Sequence, residues 1–97
     1  MQNKYHTIKK LKTVGHYLKP IITIADKGIT ENILTELNRA LDDHELIKIG
    51  LRINERDLRS EITNELCKQS NAKLIQSIGK TILLYRTNKE AKFSNVK

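Results

Sequence analysis

From Leu46 to Ile53 the chain alternates with a period of two, Ile47, Ile49, Leu51 and Ile53 falling on one side and Leu46, Lys48, Gly50 and Arg52 on the other. Only an extended strand separates neighbours in this way, so the segment predicts a strand that covers a core with one face and shows a basic face with the other. A lone strand buries nothing, and the rest of the 97 residues must supply its neighbours and its cover. A chain of this size hides only about two thirds of its unfolded surface, which allows one core and not two.

The partners are legible around it. Pro20 opens Ile21-Ile22-Thr23-Ile24, a β-branched run that reads as a strand, and a proline at its first position favours a sheet edge. Ala25-Asp26-Lys27-Gly28 follows as a turn. Thr30 then caps a helix running to about residue 43, with Glu31 at the positive end of its dipole and Ile29 and Leu34 at staple spacing. Ile33, Leu34, Leu37, Ala40 and Leu41 form its apolar stripe. Ahead of all this, Ile8, Leu11 and Val14 predict an amphipathic helix over residues 4–14, ended by Gly15. Asn54 is placed to cap a third helix, with Leu58, Ile62 and Leu66 inward and Ser70-Asn71 as its stop. Two strand-like runs, residues 73–78 and 81–86, are joined by Gly79-Lys80, which suits a hairpin with glycine at positive φ. Ile82-Leu83-Leu84-Tyr85 is apolar on both faces and predicts an interior strand with Tyr85 as a core residue. The order α-β-α-β-α-β-β predicts a two-layer α/β sandwich with a four-stranded mixed sheet, in one domain over residues 1–88 followed by a loose basic tail over 89–97.

Charge narrows the function. The net charge is +7, and it is uneven: residues 1–20 carry five lysines and no acid, residues 21–44 are net −3, residues 45–70 balance, and residues 71–97 are net +5. Such a bias points to a polyanionic partner. Lys9, Lys10, Lys12 and Lys19 at one end and Lys80, Arg86, Lys89 and Lys92 at the other form one patch if the termini lie side by side, and otherwise only keep the surface solvated. Lys48 and Arg52, on the polar face of their strand, are open to both readings.

A strand that ends in a glycine-bearing turn and opens into a helix presents free backbone N–H groups at the positive end of the dipole, where a phosphate fits. Asp26, Lys27 and Gly28 make that turn, although the same residues also describe an ordinary β-to-α connection.

Four ordered stretches, Leu18-Lys19-Pro20, Asp26-Lys27-Gly28-Ile29-Thr30-Glu31, His44-Glu45-Leu46-Ile47-Lys48, and Ile78-Gly79-Lys80 through Leu84-Tyr85-Arg86, together resemble the YhbY-type CRM domain family. The resemblance spans nearly the whole chain. It implies a fold similar to the C-terminal domain of bacterial initiation factor three, and binding of structured RNA, in bacteria chiefly on precursors of the large ribosomal subunit. It also implies that the turn after the first strand, usually Gly-x-x-Gly, holds the RNA backbone, as the GXXG loop of KH domains does. Ala25 stands where the first glycine is usual; if that position needed positive φ, its β-carbon would cost about 1 kcal/mol. Arg86 ends the family's Leu-Tyr-Arg pattern, where a guanidinium suits bidentate phosphate contact. Taken with the terminal bases and the polar face of the second strand, the candidate binding set is Asp26, Lys27, Gly28, Lys9, Lys10, Lys12, Lys19, Lys48, Arg52, Lys80 and Arg86.

Other classes fit less well. Asp42-Asp43-His44-Glu45 is the densest group of possible acids, bases or ligands, but neighbours at a helix end diverge and no HExxH or CxxC spacing supports them, so neither catalysis nor a metal is expected. Cys67, beside Leu66, reads as a packing residue, and a single cysteine allows no internal disulfide. One Phe, three Tyr and no Trp leave little for an aromatic cofactor pocket or for paired base-stacking aromatics. No apolar run suits a signal peptide or membrane span, and a cytoplasmic monomer is expected. No helix-turn-helix or zinc-finger pattern favours DNA. A protein-interaction module, in which the acidic helix over residues 30–43 docks a basic ribosomal protein, is the alternative.

Overall fold

The computed structural model describes residues 7–87, so the expected helix start at residue 4 and the tail over 89–97, with Lys89 and Lys92, lie outside the described residues. The elements follow the order α1 (Ile8–His16), β1 (Pro20–Ile24), α2 (Glu31–His44), β2 (Leu46–Leu51), α3 (Arg56–Ser70), β3 (Lys73–Ile78) and β4 (Thr81–Tyr85). The sheet runs β1-β2-β4-β3. β1 pairs parallel to β2, as a strand-helix-strand unit requires, and the two remaining pairings are antiparallel. β1 is therefore an edge strand and β4 an interior one, both as their sequences imply.

Helices α2 and α3 cover one face. Ile22, Ile24, Ile47, Ile49, Leu51, Ile82 and Leu84 from the sheet meet Leu37, Leu41, Ile62 and Leu66 from the helices in the main core. Each fully buried aliphatic side chain there contributes about 1.5–3 kcal/mol of transfer free energy. Leu58 falls outside the expected stripe and is exposed.

The period-two reading of β2 assigned Leu46, Lys48 and Gly50 to solvent, and here the structure adds a partial layer. α1 lies across this second face, where Leu11 packs with Leu46, Ile75 and Leu83 in a smaller cluster edged by Leu18 and Tyr85. Tyr85 is thus half-buried beneath α1 rather than enclosed in the main core. The two-layer sandwich is present, with one short helix on its back.

Gly15 is inside α1 and does not end it. It is buried against β4: a β-carbon there would overlap Leu83 Cδ1 and stand 2.7 Å from Cδ2. A glycine chosen for close approach and one chosen as a stop are the same letter, and only the position of Leu83 separates them. Gly15→Ala is expected to destabilise the protein by about 1–2 kcal/mol net, because the overlap with a packed Leu83 outweighs the helix-propensity gain. A thermal melt checks it: the midpoint drops by roughly 5–15 °C, whereas an unchanged or raised midpoint would mean that Leu83 yields freely.

The ends of the helices are chemically specified. Thr7 and Thr30 side chains accept from the N–H groups of Lys10 and Ile33. Asn71, with φ 60, ends α3 in the left-handed conformation tolerated by asparagine. Asn54 is not the cap of α3. Glu55 holds that position without a side-chain hydrogen bond, and the Asn54 carboxamide instead accepts from Lys80 Nζ at 2.7 Å.

Candidate nucleic-acid interface

The register decides which loops meet. Ile24 lies opposite Leu51, Gly50 opposite Thr81, and Thr81 opposite Ile78, so the β1–α2 turn, the β2–α3 connection and the β3–β4 hairpin share one end of the sheet. Backbone bonds tie them laterally: Arg52 N–H donates to Ile24 O at 2.7 Å and Leu51 N–H to Lys80 O at 2.7 Å. Asp26, Lys27, Gly28, Arg52 and Lys80, all in the expected binding set, come together here. The first turns of α2 and α3 begin at the same end, adding the partial positive charge of two helix N-termini.

Within the turn, Gly28 N–H donates to Ala25 O at 2.8 Å and closes it, and Gly28 sits at φ 73. Glycine takes that angle without the strain a side chain would add, and a β-carbon would meet nothing within 4 Å, so the space beside the backbone is open to a ligand. Ala25 is not among the described residues with positive φ, so the loss of the usual first glycine carries no conformational cost. Asp26, Lys27, Gly28, Thr30, Asn32 and, one turn into the helix, the carboxylate of Glu36 border a depression of about 490 Å³ over the start of α2.

The remaining bases divide. Lys48 is half-buried on the α1 side of the sheet, and Lys12 and Lys19 are exposed on α1 and just after it. Lys9 and Lys10 are exposed near the start of α1, which lies toward Asn71, Arg86 and Thr87 at the far end of the sheet. Arg86 does not join the cluster. It follows β4, while Lys80 precedes it, and the two stand at opposite ends of that strand. Its guanidinium is committed to the fold: Nη1 donates to Asn38 Oδ1 and Ser70 O at 2.8 and 2.7 Å, and Nη2 to Asn38 O and Asp42 Oδ1 at 3.1 and 2.9 Å. The expected single patch from both termini is replaced by one built on the loop end and the α1 face.

The signs of charge separate by layer. Every carboxylate among the described residues belongs to α2, α3 or the connections entering or leaving them. α1, β2 and β3 carry bases and no acid, and β1 and β4 carry neither. A polyanion approaching the α1 side therefore meets mostly bases, with Asp42, Asp43 and Glu45 only along the rim below Leu18 and Lys19, and one approaching α2 meets Glu31, Glu36, Asp42 and Asp43.

Arg56, exposed in the first turn of α3, extends the basic end and was not singled out in the sequence. The signal available in the sequence is a cation in a helix's first turn, where it opposes the dipole. Arg59, next to it, is structural, with Nη1 donating to Ile53 O and Asn54 O at 2.6 and 3.0 Å. No group of three or more His, Cys, Asp or Glu suited to a metal ion occurs among the described residues. Asp42 of the acidic run is held by Arg86. Burial pushes the Cys67 thiol up from its ordinary pKa, which keeps it protonated and a poor nucleophile. No described helix is long and apolar enough to cross a membrane.

A small α/β domain whose bases dominate one face and whose acids gather in the opposite layer is, by class, a module suited to a polyanion. The CRS1 / YhbY (CRM) domain model matches residues 4–86, and the chain belongs to that family. A probable RNA-binding protein of Pseudomonas aeruginosa is 54% identical over 80 residues, covering 82% of this chain and 77% of its own length. An RNA-binding protein of Haemophilus influenzae is 37% identical over 82 residues, covering 84% and 83%. Among solved structures, a Staphylococcus aureus protein for which RNA binding is proposed superposes with a TM-score of 0.76 at 31% identity, over 93% of each chain.

Proposed function

We propose that this protein binds structured RNA with the loop end of its sheet and the adjoining α1 face, and that the RNA is ribosomal, in precursors of the large subunit. The observation that carries the reading is the segregation of charge by layer, with Lys27, Arg52 and Lys80 gathered by the sheet register. The RNA-binding names of its relatives support the same direction. The protein acts as a monomeric cytoplasmic assembly factor that clamps RNA without covalent chemistry, metal or cofactor.

About six cations lie on or beside this surface, so log affinity is expected to fall with log salt at a slope of roughly −4 to −5. A slope near zero, measured by titrating salt against a fixed RNA hairpin, would exclude backbone neutralisation. Crosslinking in cells followed by sequencing of the attached RNA tests the ribosomal assignment. Enrichment of large-subunit precursor RNA supports it, and scattered messenger fragments contradict it.

The acidic layer favours one second reading, a basic ribosomal protein docked on the outer side of α2. Its test is capture with and without ribonuclease: association that survives digestion supports protein contact, and association lost with the RNA opposes it.

A further inference from the structure

The described residues do not fully cover the α1 face. Beyond the row where Gly15 abuts Leu83, the registered row Thr23, Gly50, Thr81, Ile78 crosses all four strands at the loop end. Its central position is a glycine whose absent side chain would rise 3.4 Å from Thr23 Oγ1. The floor is therefore low, flat and flanked by two hydroxyls. Thr23 is exposed, and Thr81 Oγ1 spends its proton on Ile78 O at 3.0 Å, which leaves its lone pairs to accept. Ile78, 61% exposed, closes the row with an aliphatic surface. Lys27 and Lys80 stand at its border on loops leading from β1 and into β4, strands about 9.6 Å apart across β2.

Among the described residues, no aromatic side chain lies on this floor. The described aromatics other than histidine are Tyr85, beneath α1, and Tyr17, whose ring meets His16 edge-on at 5.2 Å between centroids. Single-strand readers stack bases on aromatic rings, and the described residues place none on the floor, the exposed Tyr17 standing apart at the end of α1. A helical RNA presents the complementary shape, a wide and shallow minor groove lined with 2′-hydroxyls and bordered by phosphates.

Resting on the RNA-binding reading above, we infer that the Thr23-Gly50-Thr81 floor receives the minor groove of helical RNA, its hydroxyls meeting ribose 2′-OH groups while Lys27 and Lys80 hold the bordering phosphates. A 2′-OH donates to Thr81 Oγ1, and Thr23 either donates or accepts. The floor is thus what distinguishes RNA from DNA, and the lysines are what bind either.

The test uses the full chain with an RNA hairpin, its unpaired strand and a DNA hairpin of the same sequence, at one salt concentration. The hairpin RNA is expected to bind at least about tenfold more tightly than either competitor. Thr23→Val with Thr81→Val, which keeps shape and removes hydroxyls, is expected to bring the RNA-over-DNA preference below about threefold. Gly50→Leu, which raises the floor on an open face, is expected to weaken hairpin RNA at least about fivefold and to leave the single strand unchanged. Equal binding of hairpin and single strand, or hairpin affinity and preference unaltered by both variants, would overturn the inference. If the single strand binds as tightly while Lys27→Glu with Lys80→Glu still abolishes binding, this inference alone is lost; if no RNA binds, the proposed function is lost with it.

Discussion

Lys27→Glu combined with Lys80→Glu is expected to lower affinity for a structured RNA by at least about tenfold at near-physiological salt and to flatten the salt slope by roughly two units. Both side chains are exposed, and both stand at the end of the sheet where three connections meet. Each reversal removes one phosphate contact and adds a repulsion, so a loss of about 1.4 kcal/mol, the tenfold equivalent, is a low expectation for the pair. The fold should survive. Among the hydrogen bonds at these two side chains, Lys80 Nζ to Asn54 Oδ1 is an exposed contact, and such contacts contribute little to stability. Filter binding or fluorescence anisotropy beside a thermal melt separates the effects. An unaltered affinity with an unaltered melt would remove this end of the sheet from the interface.

Arg86→Ala is expected to do the opposite: a large loss of stability and no specific loss of RNA contact. Four hydrogen bonds converge on the guanidinium, from both ends of an interaction that joins α2, the last residue of α3 and the end of β4. The ion pair with Asp42 is the minor part, because Asp42 is largely exposed and its charge well solvated. The carbonyls of Asn38 and Ser70 and the Asn38 carboxamide matter more, since truncation strands part-buried acceptors. Their loss costs roughly 2–3 kcal/mol, about 10–20 °C in the midpoint for a domain of this size. Arg86→Lys should recover less than half, as one ammonium cannot reproduce a planar fork serving four acceptors. A variant that melts normally but no longer binds RNA would return Arg86 to the interface.

Arg86 also marks the limit of sequence reading in this chain. A basic residue closing an apolar strand suggests an exposed guanidinium, and nothing local reveals that partners 48 and 16 positions away turn toward it. Gly15 failed for the same reason, its role set by Leu83 from a distant strand. Local chemistry was reliable where the cause was local: the alternation of β2, the Thr30 cap, Gly79 at φ 57 in the hairpin and Asn71 ending α3 are all as their residues imply. The candidate site was legible by halves. Lys27 and Gly28 follow from a strand-turn-helix pattern, but their meeting with Lys80 and Arg52 depends on strand order and register. The uneven charge along the chain was visible, while its sorting into layers required α1 to lie on the face away from α2.

Where the polyanion lies decides whether the loop end of the sheet and the α1 face are the interface. Titrating the isotope-labelled protein with an RNA hairpin and following backbone amide shifts locates it directly. The predicted result is perturbation of Lys27, Gly28, Glu31, Asn32, Arg52, Lys80 and Thr81, with Arg39, Asp43 and Ser70 unmoved. Shifts concentrated on the outer side of α2 and around Arg86, with the α1 side silent, would contradict it.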